Sequence, residues 1–419
     1  MTTSRIASQG DSPYLYMQSH ERLIIFLLAA INFTHILDFM IMMPLGNYLM
    51  PYFSITTLQF SFLVGAYTLT AAFSGFASAF FVDQHDRKKI LIYAFVGFLI
   101  GTIACGIAPT FGLLLAARVL AGLFGGLIGA QVLSIISDIF GYERRGMAMG
   151  AVMSSFAIAS TLGVPFALYL ANAISWHAPF LFVGFLGLGM IPLLNKYIPE
   201  MKEHVNTENP MTKLNILKDV LRNKHQINAL IFSALIMMGH FLIIPFVNPY
   251  LEYNKNFSKS LTPLVYLVGG LSAFGAAFIF GRLADRIGKL EVFSFSVVAS
   301  AIMVVVITNL PDVGFPIVLL FFGLWFAVST GRAVTAQAML SNVPLPGQRG
   351  SFMSFNSSVQ QLGTSAASFL SGLIVIKGDN GKLLRFDWVG YVSMIVLIIS
   401  MLMGRKLFGQ MDKKAAISK

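Results

Sequence analysis

Gly281-Arg282-Leu283-Ala284-Asp285-Arg286-Ile287-Gly288-Lys289 is a short charged turn set between two long apolar runs. A worn copy, Asp83-Gln84-His85-Asp86-Arg87-Lys88-Lys89, stands in the corresponding place in the first half of the chain. Both interrupt hydrophobic segments long enough to cross a bilayer, which takes roughly 20 residues each. Other matches keep nearly the same offset: Pro44 and Asn47 recur as Pro245 and Asn248, and Arg145-Gly146 as Arg349-Gly350. Matches in the same order at one offset indicate a duplicated unit.

Composition agrees. Apolar residues make up 56% of the 419 and charged residues only 11%, where a soluble domain carries roughly 25% charged. Backbone amides in lipid must pair internally, which leaves helices or a closed barrel, and continuous apolar runs without alternation exclude the barrel. The expected fold is all-α and integral to the membrane, with about twelve spans. They are expected at 23–45, 58–82, 90–108, 112–138, 147–172, 179–198, 227–250, 261–284, 290–309, 315–341, 351–376 and 386–407. Residues 199–226 form the one long polar interior stretch, a linker between six-helix bundles at 22–198 and 227–407, with tails at 1–21 and 408–419. An even number of spans in each half inserts both copies the same way up, related by a pseudo-two-fold axis along the membrane normal.

The net charge of +11 does not form a patch that would bind nucleic acid. Lys and Arg alternate with the spans and concentrate on segments sharing a side with both termini, which predicts that both termini face the cytoplasm. Cys105 is the only cysteine, so no intrachain disulfide forms. Nucleophile-elbow, zinc-hydrolase and phosphate-loop patterns are absent, so no enzymatic chemistry is expected.

Five ionisable side chains fall well inside spans: His35, Asp38, Arg118, His240 and Arg332. A charge at mid-bilayer costs roughly 2.5–3.5 kcal/mol, so these face a watery cavity or one another. Asp38 and Arg118 lie on helices running in opposite directions, each about 10 Å below the same surface at 1.5 Å per residue, so they are able to pair. His35 is one turn from Asp38. A static ion pair is the structural alternative, and His35 and His240 also fit hydrogen-bonded interior histidines. Asn356, Gln360 and Gln361 are candidates for lining a cavity with His240 and Arg332. Gly122, Gly125, Gly126 and Gly129 allow a close helix contact with span 4, and Pro165 is expected to bend span 5.

The charged turn Gly281–Lys289 resembles the loop between spans 2 and 3 of the major facilitator superfamily, Gly-x-Leu-Ala-Asp-Arg-x-Gly-Arg-Lys. Within that family the chain resembles the twelve-span drug:proton antiporters and the related sugar-efflux permeases. The first-half copy departs at Ala79, Gln84 and Asp86 and keeps Asp83 and Arg87. Leu115-x-x-Arg118-x-x-x-Gly122 and Leu37-Asp38-x-x-x-x-x-Pro44 resemble the family's span-4 and span-1 patterns; Gly163-Val164-Pro165 follows the antiporter pattern only loosely. The resemblance implies alternating access, with Asp38, Arg118 and His35 as the proton-coupling group and Asp83, Arg87, Asp138, Asp285 and Arg286 as a conformational latch. It implies a small-molecule substrate, protons and the lipid bilayer as partners, a monomer, no cofactor and no metal, in a bacterial inner membrane. Efflux by antiport is expected over uptake by symport or a sensor built on the same fold.

Overall fold

The computed structural model describes residues 19–81, 85–140, 142–201, 220, 222–344 and 349–417. The expected tail 1–21 therefore lies almost wholly outside the described residues, as do Asp83 and most of the linker 199–226. Span 1 is Ser19–Met42, followed after a break by the short helix Gly46–Tyr52. Spans 2 to 4 are Thr57–Phe81, Arg87–Ile107 and Phe111–Ile139. Span 5 is made of Tyr142–Ile158, a π-helical turn Ala159–Gly163, and Val164–Ala173; span 6 is Ala178–Tyr197. Span 7 is Lys224–Phe241 continued by Ile244–Tyr253. Spans 8 to 12 are Thr262–Ile287, Lys289–Thr308, Phe315–Leu340, Arg349–Ile374 and Phe386–Ile417. The last helix runs into the expected tail 408–419. A two-stranded hairpin, Ile376–Lys377 with Leu383–Leu384, joins spans 11 and 12.

Eleven of these helices are long and apolar enough to cross a membrane on composition alone. Span 11 falls short because Ser, Asn, Gln and Thr recur along it, and the structure shows where they go. Ser365 Oγ donates to Gly65 O at 2.9 Å on span 2, and Gln360 Nε2 donates to Ser233 Oγ at 2.9 Å on span 7. Polar groups satisfied between helices are tolerated in lipid. Large apolar side chains such as Phe73, Tyr93, Ile279 and Leu402 instead point outward, each at least 60% exposed.

The turn between spans 2 and 3 differs from its second-half copy in backbone as well as sequence. Gly288 has φ 103°, a conformation that favours glycine, whereas Asp86 has φ −59°. Asp86 Oδ1 caps span 3 by accepting from Lys88 N at 2.9 Å and also accepts from Met201 N at 3.2 Å, tying the end of the first bundle to this turn. Asp86 thus departs from the family pattern and gains a capping role.

The face where span 1 begins and span 12 ends is the terminal face, and the opposite one the far face. The halves touch along spans 2 and 11 and along spans 5 and 8. Glycine makes both seams tight: a Cβ at Gly372 would strike Ser61, and one at Gly270 would strike Thr161. Pro165 follows an irregular turn of span 5. The π turn just before it widens span 5 where Thr161 meets Gly270, so the irregularity is absorbed where the halves pack.

Candidate functional site

Asp38 sits one turn before the break that ends the main helix of span 1, and Arg118 two turns into span 4. Both side chains are fully buried, and Arg118 Nη1 donates to Asp38 Oδ2 at 2.8 Å. The depth argument from sequence is met by a direct ion pair. Tyr67, on span 2, lies with its ring centroid 4.4 Å from the Arg118 guanidinium carbon, a cation–π contact worth about 0.5–2 kcal/mol. The ring reaches that position because span 4 yields to span 2: a Cβ at Gly122 would strike the Tyr67 backbone and Thr70, and one at Gly126 would strike Ala71 and Ser74.

The pair is incompletely satisfied. Asp38 Oδ1, Arg118 Nε and Nη2, and Tyr67 Oη are buried with no hydrogen-bond partner in the protein. Unpaired polar atoms at one spot are where water, a proton or a ligand is accommodated. His35 is not hydrogen-bonded to Asp38. Its ring packs against Tyr67 at 6.3 Å and Phe98 at 6.0 Å, and both ring nitrogens are covered and unpartnered.

From Tyr67 a chain of rings crosses to the other half. Phe39 stacks on Tyr67 at 5.7 Å, Phe241 meets Phe39 at 5.8 Å, His240 meets Phe241 at 5.2 Å, and Trp325 stacks on His240 at 5.1 Å. Trp325 is on span 10, two turns from Arg332 on the same helix. Arg332 is 2% exposed, and its Nε and Nη1 have no partner. Asn356 is buried with Oδ1 unpartnered, Gln360 is held by Ser233, and Gln361 is half-buried.

On the terminal face Arg87 Nε pairs with Asp138 Oδ2 at 3.0 Å. Asp285 and Arg286 are exposed at the end of span 8. Asp83, the remaining residue of the expected latch, lies outside the described residues.

The far face holds contacts that sequence reasoning missed. Asn47 Nδ2 donates to Glu252 Oε2, Asn248 Nδ2 donates to Pro44 O at 3.1 Å, and Tyr253 Oη donates to Asn47 O at 3.0 Å. Thr57 Oγ1 donates to Val375 O at 2.6 Å, and Asn172 Nδ2 to Lys259 O at 3.1 Å. The duplicated residues Pro44, Asn47 and Asn248 therefore meet across the seam between the halves. Glu252 was missed because it follows the expected end of span 7; its signal was an acidic side chain three residues after Asn248-Pro249.

The sequence pattern of the Major Facilitator Superfamily matches residues 28–331 and 229–419. The chain belongs to this superfamily. It is 23% identical over 333 residues to the MFS-type transporter YbcL of Bacillus subtilis, covering 79% of this chain and 81% of that one. A probable sugar efflux transporter of Helicobacter pylori is 22% identical over 198 residues, 47% of this chain and 49% of that one. In fold it is similar to a bacterial homologue of the human lysosomal transporter Spinster, at a TM-score of 0.74 and 15% identity, covering 94% of this chain and 99% of that one. As an MFS member it is a multi-pass membrane transporter with twelve helices in two bundles.

Proposed function

We propose that this MFS protein exports a small molecule in exchange for protons. The observation that carries this reading is the fully buried Asp38–Arg118 pair at 2.8 Å with polar atoms left over. Burial and the guanidinium act on the proton affinity of Asp38 in opposite senses, so a change in water access or in the distance to Arg118 moves a proton on or off. Opening at the far face lets Asp38 take a proton and opening at the terminal face lets it leave. His35 sits beside the pair as a further titratable group.

The bundles 22–198 and 227–407 rock against each other about the linker 199–226. The far-face bonds of Asn47, Asn248 and Asn172 break when that side opens. On the terminal side Asp83, Arg87, Asp138, Asp285 and Arg286 act as the latch, a carboxylate near a helix N-terminus being worth about 0.3–1 kcal/mol and up to ~2 when partly buried. The bias of Lys and Arg supports both termini in the cytoplasm, similarity to bacterial relatives supports a bacterial inner membrane, and the protein works as a monomer. Efflux is supported by the similarity to the probable sugar efflux transporter of Helicobacter pylori.

Uptake by symport is the second reading, and Arg332 favours it. A proton on Asp38 leaves Arg118 without a counter-charge, and an anionic substrate drawn in by Arg332 then binds together with the proton. Proteoliposomes with an imposed pH gradient decide direction from the sign of flux across a panel of sugars, cationic drugs, amino acids and siderophores. Asp38→Asn is expected to fold and insert but to lose proton-driven accumulation; undiminished uphill transport by that variant would refute the coupling role.

A further inference from the structure

Two arginines lie deep in the bundle and only one is neutralised. Arg118 has Asp38 against it at 2.8 Å and the Tyr67 ring beneath it. Arg332 is as buried, and its Nε and Nη1 meet no acceptor. Among the described residues no carboxylate pairs with it. From Val292 to Gly378 the sequence holds a single acidic residue, Asp312, which is bound by Lys255 at 2.8 Å in a far-face loop. Glu252 is engaged by Asn47 at the far face, while Asp285 and Glu291 stand at the terminal ends of spans 8 and 9. A buried guanidinium without a counter-charge is costly, and such an expense in a transporter points to a charge that arrives with the cargo.

We propose that Arg332 is the anchor for the anionic group of the substrate, an amphipathic organic anion whose apolar body lies on the His240–Trp325 stack. This deepens the transport reading and rests on it. Trp325 precedes Arg332 by two helical turns, about 10 Å, which matches the length of a small aromatic or short aliphatic acid. Ser329 lies between them on the same helix, buried with its Oγ unpartnered, and offers a further donor. The stack supplies the flat apolar surface, since His240 and Trp325 lie 24° from parallel. With Asp38 and Arg118 cancelling each other and Glu252 held by Asn47 at the far face, the local charge beside Trp325 comes from Arg332, so a cationic molecule is repelled from this place and an anion attracted.

The test uses the purified full chain in detergent and three probes with the same ring and different charge: benzoate, benzamide and benzyltrimethylammonium. Benzoate is expected to bind at least tenfold more tightly than the other two, read by tryptophan quenching and thermal stabilisation. Arg332→Gln is expected to abolish that preference and Arg332→Lys to keep part of it. Without any ligand, Arg332→Met is expected to raise the unfolding temperature, because it removes an uncompensated buried charge. No benzoate preference in the unaltered protein, a retained preference in Arg332→Gln, or a lower unfolding temperature of ligand-free Arg332→Met would each overturn the proposal. None of these measurements needs a proton gradient, so loss of the proton-coupling reading through Asp38→Asn leaves them intact, and the two failures are told apart.

Discussion

Phe39 of span 1 and Phe241 of span 7 meet at a ring-centroid distance of 5.8 Å, at an interplanar angle of 52°. They are the point where the ring chain starting at the Arg118–Tyr67 contact passes from one half of the molecule to the other. Between the far-face bonds and the two buried arginines, this contact and Phe60–Phe246 at 5.9 Å form an apolar plug across the seam.

Phe241→Ala is expected to loosen that plug. An aromatic pair is worth about 0.5–1.5 kcal/mol beyond its buried area, so the population open at the far face rises by roughly two- to twelvefold. Distance distributions between spin labels at Ile174 and Leu384, exposed on the far face of the two halves, report it, in a background with Cys105 replaced. Unchanged distributions would remove Phe39–Phe241 from the closure.

Glu252→Ala is expected to act more strongly on the same distribution. It leaves Asn47 Nδ2 without its acceptor at a site where Glu252 is 9% exposed and Asn47 1%. Hydrogen bonds to a charged group contribute about 1.5–3 kcal/mol, so the far-face-open state gains roughly tenfold or more. A smaller shift than that of Phe241→Ala would rank the polar bond below the plug.

Gly122→Ala is expected to destabilise the fold by about 1–3 kcal/mol, the cost of overpacking. The new methyl would strike the Tyr67 backbone and push the ring off Arg118, so proton-linked transport falls with stability. Gly129→Ala is the control, because nothing lies within 4 Å of its Cβ position. Thermal unfolding in detergent should separate the two, and equal losses would argue against close approach at Gly122.

Arg118→Leu is expected to lower stability by about 3–5 kcal/mol, because it strands the Asp38 carboxylate. Combining it with Asp38→Leu should restore most of the loss, since the double variant has no buried charge. Additive losses in this cycle would show that the two residues do not act as a pair.

Much of the fold was legible because bilayer thickness imposes a length on every span, and the charged turns at Asp86–Lys89 and Arg282–Lys289 mark where spans end. Span 11 was legible from its length and flanks although its hydropathy is low; burial of its polar face between spans 2 and 7 explains the discrepancy. Asp38 and Arg118 were legible as a pair because helical rise converts residue number into depth. Pro165 was legible as an irregularity, but its form as a π turn was not; that turn lies where Thr161 packs on Gly270 of the other half, a contact distant in the chain.

Glu252 shows where such reading stops. Its partner Asn47 belongs to the other bundle, and no local pattern says that these two ends touch. The same holds for Phe39 with Phe241, and within the first half no local pattern announces the bond that Asp86 accepts from Met201. By itself the sequence determined the number of spans, the duplication, the sidedness of the basic residues and the depth of each buried charge, because those follow from local rise, periodicity and transfer into lipid. Only the tertiary structure decided which side chains face one another across the seam and that Arg332, unlike Arg118, has no carboxylate opposite it. Those facts depend on the rotation and packing of helices distant in the chain, which depth alone leaves open.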